Sequence, residues 1–478
     1  MRYPVVSGLV GMLYGCVMIG TAWADTIEPP EVATYWEHLP VRLAVLVSIP
    51  FVLMLLSIAT LPLLAPHWWE RIRNQLMISA VLGTPVIFYL IGFVPHGTEL
   101  LVHMGVDYVA FIALLGSLYV IASGIYIRGR LAGTPLINTL ILAIGGLMAS
   151  FIGTTGASMV LIRPLLRANE KRKHKVHTFI FFIFIVSNAG GLLTPLGDPP
   201  LFLGFLRGVP FNWTFRFWKE WLFVNGLLLF IYNLLDQYWL DREEIEDPRA
   251  LLEEIEKTAR PIEIEGRYNI LFLLGIIGTI LLIGYFGRVE GWSEIIQKLI
   301  QAIVMFTIAA AAWWATPRRL YTLNRFSMYP LEEVAAVFAG IFATMIPVLQ
   351  ILGHWGDQFG LTRPWQFFWM TGVLSSFLDN APTYLTFASL ASGLVHTDPF
   401  HLLELAMHAR GAQLLEAIAC GAVFMGANTY IGNAPNFMVR SIAIERGIRM
   451  PSFFGYMRWT LVVLVPMWVL VTLVFFRG

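Results

Sequence analysis

Two short stretches of this 478-residue chain are versions of one another. Gly191-Leu192-Leu193-Thr194-Pro195-Leu196-Gly197-Asp198-Pro199-Pro200-Leu201-Phe202 returns as Gly426-Ala427-Asn428-Thr429-Tyr430-Ile431-Gly432-Asn433-Ala434-Pro435-Asn436-Phe437. Gly, Thr, Gly, Pro and Phe coincide at a constant offset of 235. Each copy interrupts a strongly apolar run with Gly and Pro, which break helices. In lipid every backbone polar group needs a partner, so a break at membrane depth survives only inside protein or against a water-filled cavity. A repeated, broken, polar element of this kind points to a binding site at the interface of two structural repeats.

The chain is a membrane protein by composition and pattern. Hydrophobic residues make up 57% of it and charged residues 13%. Many apolar runs are about 20 residues long, enough to cross about 30 Å of hydrocarbon as helix. The net charge of +1 implies no nucleic-acid partner. Cys16 and Cys420 alone support neither a disulfide framework nor a cysteine metal site, and the ten histidines show no ligand spacing. No cofactor is implied. Arg2, the apolar run Val5–Ile19 and the small-x-small triplet Ala22-Trp23-Ala24 have the form of a signal peptide over 1–24, with an uncleaved first helix as the alternative. Export of this kind places the chain in a bacterial inner membrane.

Loop charges set the topology. Spans run at 41–64, 76–95 and 107–127, and the loops after the first and third carry Arg71, Arg73, Arg128 and Arg130, which places those ends in the cytoplasm. The segment 136–168 is flanked by basic residues at both ends, so it enters and returns as a re-entrant hairpin with its turn at Gly153-Thr154-Thr155-Gly156. A broken helix over 176–207 and a span at 219–238 complete a first repeat, 40–238. Residues 241–267, with ten acids and five bases, read as a cytoplasmic linker, and Leu251, Leu252 and Ile255 suggest a short surface helix within it. The second repeat, 268–478, holds spans at 268–286, 295–315 and 332–352, an outward-opening hairpin at 365–395, a broken helix at 411–446 and a last helix at 453–476. The expected fold is therefore an all-α, polytopic integral membrane protein with two inverted-topology repeats, two re-entrant hairpins and two broken helices. At an offset of 225, Thr154-Thr155-Gly156-Ala157-Ser158 aligns with Asp379-Asn380-Ala381-Pro382-Thr383.

Ser187-Asn188-Ala189-Gly190-Gly191, with Thr194-Pro195-Leu196-Gly197-Asp198-Pro199-Pro200, resembles the broken helix of the ion transporter superfamily. That superfamily includes citrate and dicarboxylate carriers, arsenite permeases and a class of sodium/proton antiporters. Asp379-Asn380-Ala381-Pro382-Thr383 is similar to the outer hairpin tip of the permease and antiporter branches. The carboxylate carriers usually carry Ser-Asn-Thr at both tips, and neither tip here does. The resemblance covers about residues 40–478 and is closest to a subgroup labelled citrate-transporter-like or sodium/proton antiporter.

The residues themselves suit a cation. Where a helix breaks, half-helix N-termini favour anions, and freed carbonyls favour cations. Thr154, Thr155, Ser158, Ser187, Thr194, Thr383 and Thr429 offer hydroxyls, and Asn188, Asn380, Asn428 and Asn433 offer amides. These oxygens suit Na⁺ and would also hold a small carboxylate; equally, they would satisfy broken backbone. Two acids stand out. Asp198 and Asp379 lie where a charge is expensive, which marks them as ion-coupling candidates for Na⁺ and H⁺, with Asp379 expected to be the coupling carboxylate and Asp198 its support. Asp198, just before Pro199-Pro200, would alternatively cap the half-helix that follows. The leading expectation is Na⁺/H⁺ antiport by alternating access. The alternative is Na⁺- or H⁺-coupled transport of citrate or a dicarboxylate. An enzyme is not expected, since no catalytic constellation is present. The expected partners are the transported cation or carboxylate, the bilayer and a second copy of the chain in a homodimer. Arg163 is expected to snorkel to the surface, with attraction of an anionic substrate as its other role. Asp107 and Glu99 are expected to be solvated. The sixteen Trp, Trp68, Trp69, Trp218 and Trp221 among them, read as an interfacial belt.

Overall fold

The computed structural model describes residues 30–243 and 260–477. The signal segment and the helix expected at 251–255 lie outside them. Among the described residues, nine helices are long and apolar enough to cross a membrane. Val41–Leu64, Ile72–Phe93 and Asn269–Glu290 are largely exposed. Their bare side chains, such as Val45, Phe88 and Leu271, require lipid rather than water. Gly97–Ser123 and Tyr329–Trp355 are mostly buried and form the wall around the centre.

Two helical hairpins and two broken helices fill that centre. The first hairpin is Pro135–Ile152 and Thr154–Ala168, turning at Gly153; the second is Pro364–Ser375 and Asn380–Val395. The first broken helix is Val176–Ile185 and Pro199–Leu206; the second is Ala409–Met425 and Ala434–Glu445. Each second half opens with a proline at its first or second position, where the missing N–H would have had no partner.

The hairpins come in from opposite ends. The base of the first is tied beside the start of the first broken helix. There the Asn138 amide donates to Asn169 (2.9 Å) and to Asp236 (3.0 Å), and His177 meets Asp236 at 2.8 Å. The chain leaving the second hairpin sits at the far end of the same broken helix. There the Leu402 N–H donates to the Arg207 carbonyl (2.7 Å), and His401 lies against Gly208. The two tips therefore meet between those ends.

Hydrogen bonding repeats as the sequence does. The Thr194 hydroxyl donates to the Ser150 carbonyl and accepts from the Leu196 N–H (3.1 Å). The Thr429 hydroxyl donates to the Ser376 carbonyl and accepts from the Ile431 N–H (3.2 Å). The Ser150 hydroxyl reaches the Gly190 carbonyl, and Ser376 reaches Met425. These pairings put the hairpins at an offset of 226, not 225. Thr154 and Asn380 each open a returning arm, whereas Asp379 matches Gly153. The repeated glycines follow from close approach. A Cβ on Gly197 would stand 2.0 Å from the Gly191 carbonyl oxygen, and one on Gly432 would stand 2.6 Å from that of Gly426.

Several expectations need correction. Strand Tyr126–Arg130 pairs antiparallel with Arg260–Glu265, so the linker ends in a strand that crosses between the halves. The alternation Ile262-Glu263-Ile264-Glu265 was its sequence signal. Asp107 is buried, paired with Arg207 (3.2 Å) and Lys298 (2.8 Å), because chain remote in sequence closes over it. Glu99 is half-buried against His96 (2.7 Å). Arg172, among the basic residues that follow the first hairpin, is buried between Asp236 and Glu243, each at 2.9 Å. Trp69 is buried, and Trp221 donates to the Gly190 carbonyl (3.0 Å), so neither belongs to an exposed belt.

Candidate functional site

The second halves of both broken helices and the returning arms of both hairpins begin at one place. Their N-termini carry Asp198, Asn433, Thr154 and Asn380. All four side chains meet. The Asp198 carboxylate is 1% exposed and accepts three hydrogen bonds. These come from the Thr154 hydroxyl (3.1 Å), the Asn380 amide (2.5 Å) and the Asn433 amide (3.2 Å). Thr154 belongs to the first repeat and the two amides to the second. Every donor is neutral, and no ion pair among the described residues includes Asp198.

Asp198 sits at the N-cap position of Pro199–Leu206, yet its side chain makes no capping bond to that helix. Asn433 behaves identically before Ala434–Glu445. Both side chains turn into the centre instead. Asp379 is the acid that caps: it accepts the Ala381 N–H at 3.0 Å and is half-buried. It directly precedes Asn380, whose amide donates to Asp198.

A second ring of oxygens adjoins the carboxylate. The Asn433 amide nitrogen stands 3.2 Å from the Ser187 carbonyl, from the Asn188 side-chain oxygen and from Asp198. One NH₂ group has two hydrogens for these three acceptors. The Asn188 amide is held by the Ile183 carbonyl (2.8 Å) and the Asn436 oxygen (2.7 Å). Ser158 and Ser187 share a hydroxyl contact at 2.9 Å.

The remaining candidates lie apart from the carboxylate. Thr194 and Thr429 pin each break to its hairpin. Asn428 is held between Ser376 (2.8 Å) and Trp468 (3.0 Å). The Thr383 hydroxyl turns back to the Asp379 carbonyl (2.8 Å). Thr155 is half-buried one residue from the contact with Asp198. Sequence reasoning missed Asn436, whose amide satisfies the Gly426 and Thr429 carbonyls at 2.8 and 2.9 Å. Its counterpart in the first repeat is the apolar Leu201, so the repeat itself concealed it. Arg163 does not snorkel: it is 6% exposed, because hairpin and neighbouring helices enclose it.

Helical spans, hairpin tips and paired helix breaks closing on a buried polar centre define a secondary transporter of the membrane. The chain belongs to the family described as "putative citrate transport", whose sequence model matches residues 40–476. Membership makes it a citrate-transporter-like, multi-pass transporter. No curated protein matches the chain.

Proposed function

We propose that the protein exchanges Na⁺ for H⁺ at Asp198 by alternating access, with Asp379 as the second coupling acid. The supporting observation is a buried carboxylate whose partners are all neutral and come from both repeats. A carboxylate removed from water favours its neutral form, and a bound cation restores the charge. Proton and Na⁺ therefore compete for one site. A Na⁺ in the place of the Asn433 amide nitrogen would meet a carboxylate, an amide oxygen and a backbone carbonyl, three hard donors. Because the hairpins are rooted at opposite ends, withdrawing Thr154 or Asn380 would open the same carboxylate to opposite sides.

The second reading is Na⁺- or H⁺-coupled citrate or dicarboxylate transport, in a bacterial inner membrane like the first. The family description favours it. So do the four helix N-termini at the centre, whose positive ends suit an anion. Proteoliposome assays separate the two. Na⁺-driven proton movement without citrate uptake is the expected result; citrate uptake with no Na⁺/H⁺ exchange would replace the first reading by the second.

A further inference from the structure

A chain of paired charges crosses the end of the molecule where the second hairpin is rooted, the outer end on the topology expected from the loop arginines. Asp107, on the wall helix Gly97–Ser123, binds Arg207 (3.2 Å) and Lys298 (2.8 Å). Lys298 continues to Glu294 (3.3 Å), one turn earlier on the helix Glu294–Ala315, and Glu294 meets the His401 imidazole at 2.8 Å. His401 lies on the loop that leaves the second hairpin. Arg207, just past the first broken helix, grips the same loop. Its carbonyl accepts the Leu402 N–H (2.7 Å), and its guanidinium lies over the Phe400 ring, 4.5 Å from the centre. The Glu294–His401 pair therefore ties the second hairpin to a helix outside the centre.

That pair borders a cavity of about 280 Å³, whose lining includes Glu294, Lys298, His401 and Gly208. The His401 and Glu294 side chains are 37% and 36% exposed, so protons from water reach them. The histidine at the root of the first hairpin, His177, is buried against Asp236 and shut off from such exchange. Glu294 and Lys298 face His401 from their helix, and Asp398, which accepts the Phe400 N–H at 2.7 Å, faces it from its own loop. Asp107 and Arg207 stand behind them, and His103 is one turn before Asp107. The Glu294 carboxylate holds the His401 imidazolium above its ordinary range, against the opposing effects of burial and Lys298. Pairing is at full strength below about pH 6.5, the ordinary histidine value, and is lost as pH rises through the higher value of the paired state.

We propose that His401 and Glu294 form a proton-operated latch, closed when His401 carries a proton, that fastens the second hairpin to the helix Glu294–Ala315. Protonation makes the contact a charge-assisted hydrogen bond. Its loss leaves a neutral contact, which the hairpin breaks more readily when Asn380 withdraws from Asp198. The latch rests on the alternating access proposed above, and it adds a second place, apart from Asp198, at which pH governs opening.

The test is a spin-label distance measurement on the purified full chain in nanodiscs, with both native cysteines replaced by alanine. The labels sit at Ile303, on the helix of Glu294, and at Met407, beyond the loop of His401; both positions are exposed. With His401 and Glu294 intact, one distance should dominate at about pH 5.5 and a second should grow toward about pH 9, spanning the histidine range. The ratio of the two should change by up to roughly tenfold per pH unit. His401→Gln, which keeps a hydrogen-bond donor, and Glu294→Gln should show the alkaline distribution at every pH. Asp198→Asn, and His38→Gln at an exposed site, should respond as the unsubstituted chain does. A distribution that does not change with pH would overturn the proposal. So would a pH response retained in His401→Gln, or in Glu294→Gln should the first variant fail to fold, or one lost in Asp198→Asn. The measurement needs no ion gradient, so a transporter that failed to exchange Na⁺ for H⁺ would leave its result standing.

Discussion

Asp198 and Asn433 hold the same place in the two helix breaks. Each precedes a half-helix opened by proline, and each has extended backbone (φ −145°, ψ 144° and φ −154°, ψ 139°). Neither caps the helix it precedes, and the two side chains touch. Around them the threonine pins and the glycine pairs recur in both halves. Only one break carries a charge. The positions that are alike build the break, and the position that differs supplies its chemistry. An ion-coupled site needs this inequality: two acids 3.2 Å apart would bind a shared proton too firmly, and two amides would bind none.

The shared positions should fail together, and more severely than any other. Gly197→Ala drives a Cβ to 2.0 Å from the Gly191 oxygen, and Gly432→Ala to 2.6 Å from that of Gly426. Backbone stands in both places and cannot step aside. Both variants should lose most folded protein in detergent, measured as monodisperse yield and thermal midpoint, with Gly197→Ala the worse. A normal midpoint in either would mean that the breaks are not held by these contacts.

The unlike position should separate chemistry from fold. Asp198→Asn turns the first break into the second, whose asparagine already tolerates this backbone. Folding should survive, and Na⁺-driven proton movement in vesicles should fall to background. In the wild type, apparent Na⁺ affinity should weaken by up to roughly tenfold per pH unit of acidification while protons occupy the site. Exchange that persists in Asp198→Asn would end the case for this carboxylate.

Asn433→Asp makes the breaks equal in the other direction. It places a second carboxylate within reach of Asp198, and two such groups retain one proton between them. The protein should fold with a modest loss of thermal midpoint. Its exchange activity should move to more alkaline pH, because the retained proton must leave before Na⁺ binds. A pH profile identical to wild type would show that the two residues do not share a site.

How much of this was readable in the chain follows the same division. Spans, hairpins and breaks were legible because apolar length, loop arginines and the 235-residue offset are local or periodic signals. The β-pairing of Tyr126–Arg130 with Arg260–Glu265 joins segments more than a hundred residues apart, and the burial of Asp107 and Arg172 depends on remote chain closing over them. No local pattern reports either. The hairpin register slipped by one because Thr154 and Asn380 share no residue type; the threonine pins to Ser150 and Ser376, and the common bond of Thr154 and Asn380 to Asp198, reveal the match. The roles within the acid pair were hidden for a similar reason. Both Asp198 and Asp379 precede a helix start in sequence, and only the direction of the side chain separates a cap from a ligand.

That separation yields the smallest effect and the finest test of the comparison. Asp379 accepts the Ala381 N–H, and an asparagine side chain does so nearly as well. Asp379→Asn should therefore keep stability within a few tenths of a kcal/mol, while Asp379→Ala should cost about 1 kcal/mol through the lost cap. Exchange should fall partially in Asp379→Asn, since removing a nearby negative charge makes Asp198 release its proton more readily and attracts Na⁺ less. The pH profile should shift toward acid, opposite to Asn433→Asp. Both variants are read in the same vesicles, with thermal midpoints measured alongside. Complete loss of exchange in Asp379→Asn with a normal midpoint would make Asp379 the principal coupling acid. Asp198 would then be the support, and the functional difference between the repeats would lie at the hairpin tips rather than at the breaks.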